Sequence, residues 1–117
     1  MRIDIENKDD GAILHIEGKI IGDGAVQLKH ALEEQINSDV KWIIINLAEV
    51  PMMDSSAIGT IIMAFLKLKE RNSKLVLLYA QKNILEVLDI TKLNTLFEIY
   101  DNMQAALKSV KSMLQKS

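Results

Sequence analysis

Apolar and polar residues alternate over the first part of the chain. Ile3 and Ile5 alternate with charged residues, residues 7–11 have turn-forming chemistry, and the alternation resumes over residues 12–16 before Gly18. A period of two places successive side chains on opposite faces of a strand. The pattern therefore predicts a β-hairpin at the start of the chain.

The period becomes helical from Asp23 or Gly24. Apolar residues then recur on one side of a predicted helix as far as Ile36, and polar residues occupy the other side. Residues 42–47 follow as a nearly continuous apolar run that only Asn46 interrupts. Such a run is typical of a central strand that is covered on both faces.

The second half of the chain repeats this alternation of helices and strands. A helical pattern ends before a predicted buried strand at residues 75–79, and this strand-helix-strand unit implies a parallel pair. A short helix at residues 83–88, a short strand at 97–100 and a last helix complete the chain. The sequence predicts an α/β fold: a mixed β-sheet with about four helices, in the order β-β-α-β-α-β-α-β-α.

The predicted start of the last helix rests on a capping pattern. Asp101 and Gln104 stand three residues apart, just before apolar residues at helical spacing. This spacing is that of a capping box, in which the two side chains satisfy backbone amides at the helix start. We therefore expect the helix to open at Asp101.

Composition limits the classes of protein to consider. A chain of 117 residues, 49% of them apolar, is the size of one domain, and we assign residues 1–117 to it. The net charge of −2 and the lack of a basic stripe argue against nucleic acid as a partner. Without cysteine there is no disulfide or thiolate site, and without a signal segment or membrane-length apolar run we expect a cytoplasmic protein.

The segment Asp54, Ser55, Ser56, Ala57 lies between a predicted buried strand and a predicted amphipathic helix. Unpaired amides and the positive end of the helix dipole make a helix N-terminus a favourable place for an added phosphate. One interpretation is that Ser55 or Ser56 is a regulatory phosphorylation site. The other is that Asp54 or Ser55 only caps the helix, since both residue types are common N-caps.

One stripe of the predicted helix is expected to point outward and to bind a partner. It lies opposite Ile58 and Ile62 and consists of Ser56, Gly59, Thr60, Met63 and Lys67. Met63 supplies an adaptable apolar contact beside Ser56. Met52 and Met53, in the preceding loop, have two interpretations: further contacts of this surface, or core residues.

The titratable residues do not suggest an enzyme. His15 and His30 fall on polar sides of their elements, without clustered carboxylates at ligand spacing, so we expect surface histidines and no metal or cofactor. Ser56 has no evident general base and no nucleophile-elbow glycine pattern around it. An enzyme that uses Ser56 as its nucleophile is therefore the least favoured hypothesis.

The element order, with Asp-Ser-Ser between a strand and the second helix, resembles the STAS domain of bacterial anti-sigma factor antagonists over essentially the full chain. The further matches are Gly18, residues 50–53 and 83–88, residues 97–100, Ala105 and Ala106. The resemblance implies that Ser56 is phosphorylated by an anti-sigma factor with serine kinase activity, with Asp54 and Ser55 supporting the phosphorylation. It also implies a serine phosphatase as a partner and no membrane insertion.

Two positions depart from the family pattern. Ala57 replaces a glycine and is expected to add a methyl group beside the acceptor, and Ile21 stands where an aspartate is common. We expect a non-enzymatic anti-sigma factor antagonist that binds its anti-sigma factor through the Ser56 face, releases a sigma factor, and is switched off by phosphorylation. The alternative is a non-catalytic STAS adaptor subunit of a signalling scaffold or transporter complex, in which Ser56 only caps a helix.

Overall fold

The chain begins with the predicted hairpin, formed by β1 (Arg2–Lys8) and β2 (Gly11–Glu17) in antiparallel pairing. The structure is a computed structural model that describes residues 1–115, with side chains up to residue 111. Gly11 pairs with Trp42 of the neighbouring strand, and a Cβ atom at Gly11 would lie 2.0 Å from the indole ring. Glycine is therefore required where the hairpin passes over this ring.

A five-stranded mixed sheet forms the centre of the molecule. The strands β3 (Trp42–Glu49), β4 (Lys74–Leu78) and β5 (Glu98–Tyr100) continue from β2 in parallel, so the strand order is β1-β2-β3-β4-β5. The helices are α1 (Asp23–Asn37), α2 (Ser55–Glu70), α3 (Lys82–Ile90) and α4 (Met103–Gln115), and a short 3-10 turn occupies Leu93–Thr95. The predicted fold class and element order are confirmed.

Helices cover both faces of the sheet. On one face Ile43 and Ile45 pack with buried residues of α1, α2 and α3, and on the other Trp42 and Ile44 pack with Val110 and its neighbours on α4. Successive side chains of a strand point to opposite faces. The continuous apolar run of β3 is therefore needed to fill two separate cores.

The helix cap predicted at Asp101 is wrong by one residue. The amide of Ala105 donates to Asn102 Oδ1 over 3.0 Å, and that of Ala106 donates to the Asn102 carbonyl. Asn102 is therefore the capping residue, and α4 begins at Met103. Asp101 and Gln104 have the right spacing but lie one position before the residues that make the cap.

Asn46 interrupts the apolar run because it takes part in a polar cluster on the sheet. Its side-chain amide donates to His15 Nδ1 over 2.9 Å, and His15 Nε2 lies 3.0 Å from a carboxylate oxygen of Glu6. The interpretation of His15 as an ordinary surface histidine is incomplete, because the ring is half-buried and both of its nitrogens have partners. His30 is exposed on α1, as expected.

Candidate functional site

Asp54 is the N-cap of α2. Its backbone is extended, and its Oδ1 accepts a hydrogen bond of 2.9 Å from the amide of Ala57. An N-cap carboxylate satisfies one of the amides that the first turn leaves unpaired. Ser55 and Ser56 are therefore the first and second residues of the helix. Of the two candidate caps, Asp54 and Ser55, the structure uses Asp54.

The other oxygen of the Asp54 carboxylate joins the starts of two helices. Oδ2 accepts a hydrogen bond of 2.9 Å from the amide of Gly22, the residue before α1. Gly22 has φ +55° and ψ −124°, a conformation that residues with a Cβ atom rarely adopt. This glycine lets the chain turn into α1 while its amide points at the motif.

A short backbone pairing fixes the loop that leads into the motif. Ile20 and Met53 form a parallel bridge, the Ile20 amide donates to the Met52 carbonyl over 3.0 Å, and the Asp54 amide donates to the Ile20 carbonyl over 3.1 Å. Ile20 is fully buried. The segments before α1 and α2 are thus held side by side just beyond the sheet.

The hydrogen bonds to Asp54 also set its charge. The amide of Ala57, followed by that of Gly22, holds the pKa of the Asp54 carboxyl below its ordinary value of 3.8, and partial desolvation opposes this shift. Amide donors stabilise a carboxylate over the neutral acid. Asp54 therefore carries a full negative charge at neutral pH, beside the two serines.

The two serines are exposed, whereas the next residue points inward. Ala57 is fully buried and belongs to the core formed with α1 and α3. The expectation that its methyl group stands beside the acceptor is wrong, because helical phase turns position 57 toward the sheet when Ser55 and Ser56 face solvent. The alanine therefore leaves the outer surface of the serines open.

A groove of about 520 Å³ runs between α1 and α2, with Ser56 in its lining. Its walls include apolar side chains of both helices, and charged residues stand along it. The lining residues are Lys29, Leu32, Glu33, Ile36, Ser56, Gly59, Thr60, Met63, Ala64 and Lys67. The five residues of the predicted outward stripe all line this groove, and Met63 is 56% exposed. Ser56, Met63 and Lys67 are exposed, as expected, whereas Gly59 and Thr60 are half-buried. The role of the five residues in binding a partner stays a prediction.

The loop methionines differ from each other. Met52 is 47% exposed, so the core interpretation is wrong for this residue, whereas Met53 is half-buried against the core. Both line a second, smaller hollow of about 260 Å³ between the loop, α2 and α3. Met52 and Met53 thus contribute apolar surface close to the start of α2.

The sequence pattern did not identify two residues at the start of α3 that bond to the end of β3 and to the loop before α2. Gln81 Nε2 donates to the Ala48 carbonyl over 2.9 Å, and the side-chain amide of Asn83 donates to the Pro51 carbonyl. Their partners lie more than thirty positions earlier in the chain, and no local pattern indicates them. Gly22 could have been suspected from the sequence, since a glycine directly precedes the predicted first helix.

The residues that the structure describes contain neither a metal-binding cluster nor a helix that could span a membrane. Within residues 1–115 no group of three or more His, Cys, Asp or Glu side chains is arranged to hold a metal ion. None of the helices in that part of the chain has the length and apolar character needed to cross a membrane.

Comparison with known proteins gives concordant matches. The family model of the STAS domain matches residues 2–106. The anti-sigma-B factor antagonist of Listeria monocytogenes is 33% identical over 102 residues, which cover 85% of this chain and 90% of that protein.

Two solved structures show the same fold. The anti-sigma factor antagonist SpoIIAA in its unphosphorylated form has a TM-score of 0.84 at 18% identity, covering 95% of this chain and 97% of that chain. A sulfate transporter family protein from Wolinella succinogenes has a TM-score of 0.77 at 19% identity, covering 91% and 88%. With the family model matching most of its length, the chain belongs to the STAS domain family, in which its relatives include anti-sigma factor antagonists.

Proposed function

We propose that this protein is an anti-sigma factor antagonist. In its unmodified form it binds an anti-sigma factor through the surface around Ser56, and the sigma factor is released. The relative from Listeria monocytogenes, which is 33% identical over 102 aligned residues, is named as an anti-sigma-B factor antagonist. The protein acts as a binding partner in the cytoplasm and catalyses no reaction of its own.

Ser56 is the proposed phosphorylation site, and one observation carries this choice. Both serines of the motif are exposed at the N-terminus of α2, but only Ser56 is among the residues that line the groove between α1 and α2. A group added to Ser56 therefore stands at the edge of the proposed partner surface. Support also comes from the Bacillus protein SpoIIAA, whose structure exists in a phosphorylated form.

Phosphorylation blocks binding through charge and size. A phosphate adds a charge of about −1.5 to −2 and three acceptor oxygens. At Ser56 it stands near the ionised Asp54 and beside a groove whose lining includes Met63 and Leu32. A partner surface shaped for a hydroxyl group must then accommodate or desolvate this charge, which disfavours the complex.

The kinase is the anti-sigma factor itself, and a separate serine phosphatase restores the active form. Asp54 and Ser55 support the transfer by holding the start of α2 in place. The Asp54 carboxylate accepts from both Ala57 and Gly22, so the acceptor serine follows a rigidly capped position. Gly59, Thr60, Met63 and Lys67 form the surface on which the anti-sigma factor docks.

The test is to incubate the purified protein with ATP and the purified anti-sigma factor from the same genome. We expect one phosphate per chain, located on Ser56 by mass spectrometry, and none in the Ser56→Ala variant. Ser55→Ala is the matched control, because it removes the neighbouring hydroxyl and should still accept phosphate. Phosphate on Ser55 would overturn the assignment of Ser56 as the acceptor. A chain that takes up no phosphate and purifies instead with a transporter or scaffold would favour the adaptor role.

A further inference from the structure

Ile21 is an apolar residue that the proposed function leaves unexplained. Its side chain is 45% exposed, in the segment between β2 and α1. The next residue, Gly22, donates its amide to the Asp54 carboxylate, so Ile21 lies directly beside the motif that precedes Ser56. An exposed isoleucine at this position contributes apolar surface next to the proposed modification site.

The backbone on both sides of Ile21 is fixed. Ile20 is fully buried and bridged to Met53, Gly22 is bonded to Asp54, and the Ile21 carbonyl accepts a hydrogen bond of 2.9 Å from the amide of Gly24. A side chain on such a fixed backbone loses little conformational freedom when a partner covers it. Ile21 is therefore preorganised for contact.

The local pairing turns Ile21 outward and places it beside Asp54. Ile20 and Met53 are bridged and turn inward, and extended backbone sends successive side chains to opposite sides. Because the bridge is parallel, Ile21, one position after Ile20, lies opposite Asp54, and its side chain is 45% exposed. This end of the molecule therefore presents an exposed aliphatic side chain beside the carboxylate that caps α2, two residues before Ser56.

We infer that Ile21 is a specificity-determining residue of the partner surface and docks against an aliphatic side chain of the anti-sigma factor. This inference rests on the proposed function. Because Ile21 offers neither charge nor hydrogen bond, a partner with a charged group opposite it must desolvate that group without compensation. The isoleucine thus favours an apolar partner surface and disfavours a charged one.

The experiment measures calorimetric binding of variants to the purified anti-sigma factor from the same genome, without ATP so that Ser56 stays unmodified. We expect Ile21→Asp to weaken binding about tenfold or more and Ile21→Val to bind within about twofold of wild type. Ile90→Asp is the matched control: Ile90 is 78% exposed at the end of α3, opposite to the end where Asn83 contacts the loop before α2, so its binding should equal wild type. Melting temperatures should be unchanged in all three variants.

The outcomes separate this inference from the proposed function. Binding of Ile21→Asp within about twofold of wild type, or equal weakening by Ile21→Asp and Ile90→Asp, overturns the role of Ile21 alone. If Ile21→Asp lowers the melting temperature, Ile21→Ala replaces it, and unchanged binding of that variant overturns the inference as well. Absence of binding by the wild-type protein overturns the proposed function itself.

Discussion

Replacement of Met63 by glutamate tests whether the outer surface of α2 serves binding and not folding. Both Met63 and Ala64 line the groove, but Met63 is 56% exposed, whereas Ala64 is 4% exposed and belongs to the core. The two positions are consecutive, so they share the same helix and the same local backbone. They differ in the direction of their side chains.

The expected effect on stability follows from this difference. Surface substitutions usually change stability by less than about 0.5 kcal/mol. Glutamate at position 63 also stands four residues before Lys67, a favourable helical pair of about 0.2–0.5 kcal/mol. With an unfolding entropy of about 2.1 cal/mol/K per residue, 1 kcal/mol shifts the Tm of a chain of this length by about 4 °C. We therefore expect Met63→Glu to change the Tm by no more than about 2 °C.

Ala64→Glu is the matched control for the buried side of the helix. It places an unpaired carboxylate in the apolar core, which costs several kcal/mol. At about 4 °C per kcal/mol the Tm should fall by about 10 °C or more. Calorimetric melting of both variants at neutral pH measures the contrast directly.

Binding supplies the second half of this prediction. Docking on Met63→Glu must desolvate a charge in the middle of the interface, so we expect affinity for the anti-sigma factor to fall about tenfold or more. A large drop in the Tm of Met63→Glu would refute the placement of this side chain. Normal melting together with undiminished affinity would refute the proposed binding surface.

Three further predictions concern two glycines that the fold requires and the carboxylate that caps α2. Gly22→Ala should destabilise the protein by about 1–3 kcal/mol in urea unfolding, because the side chain is forced into a conformation that suits glycine. Gly11→Ala should cost about 1–3 kcal/mol and shift the emission of Trp42, the only tryptophan, because the indole ring must move. Because the folded pKa of Asp54 is lowered, its contribution to stability is present above pH 3.8 and is lost as the pH falls through the lower folded value. The stability difference between wild type and Asp54→Asn should therefore shrink under acid, and a difference that grows there would contradict this.

The periodic pattern predicted the fold because each element buries its apolar side locally. The run at β3 indicated two covered faces, and the structure has helices on both. The helical phase of α2 also placed Met63 outside without any tertiary information. The same helical phase turns Ala57 inward, which a comparison of this residue with the glycine of the family pattern does not indicate.

The parts that could not be predicted depend on contacts between distant segments. Asp54 bonds to Gly22 across 32 positions, and Asn83 reaches Pro51 across the same separation. Neither pairing leaves a periodic signal in the sequence. The start of α4 was missed for another reason: Asp101 and Asn102 are both good capping residues, and only the backbone decides which one is used.

The most direct test of the central claim compares the two forms of this protein in binding. Protein phosphorylated on Ser56 and unmodified protein are titrated separately into the purified anti-sigma factor. We expect the unmodified form to bind and the phosphorylated form to bind at least about tenfold more weakly, with treatment by a serine phosphatase restoring the affinity. Equal affinity of the two forms would contradict the account of Ser56 as the switch.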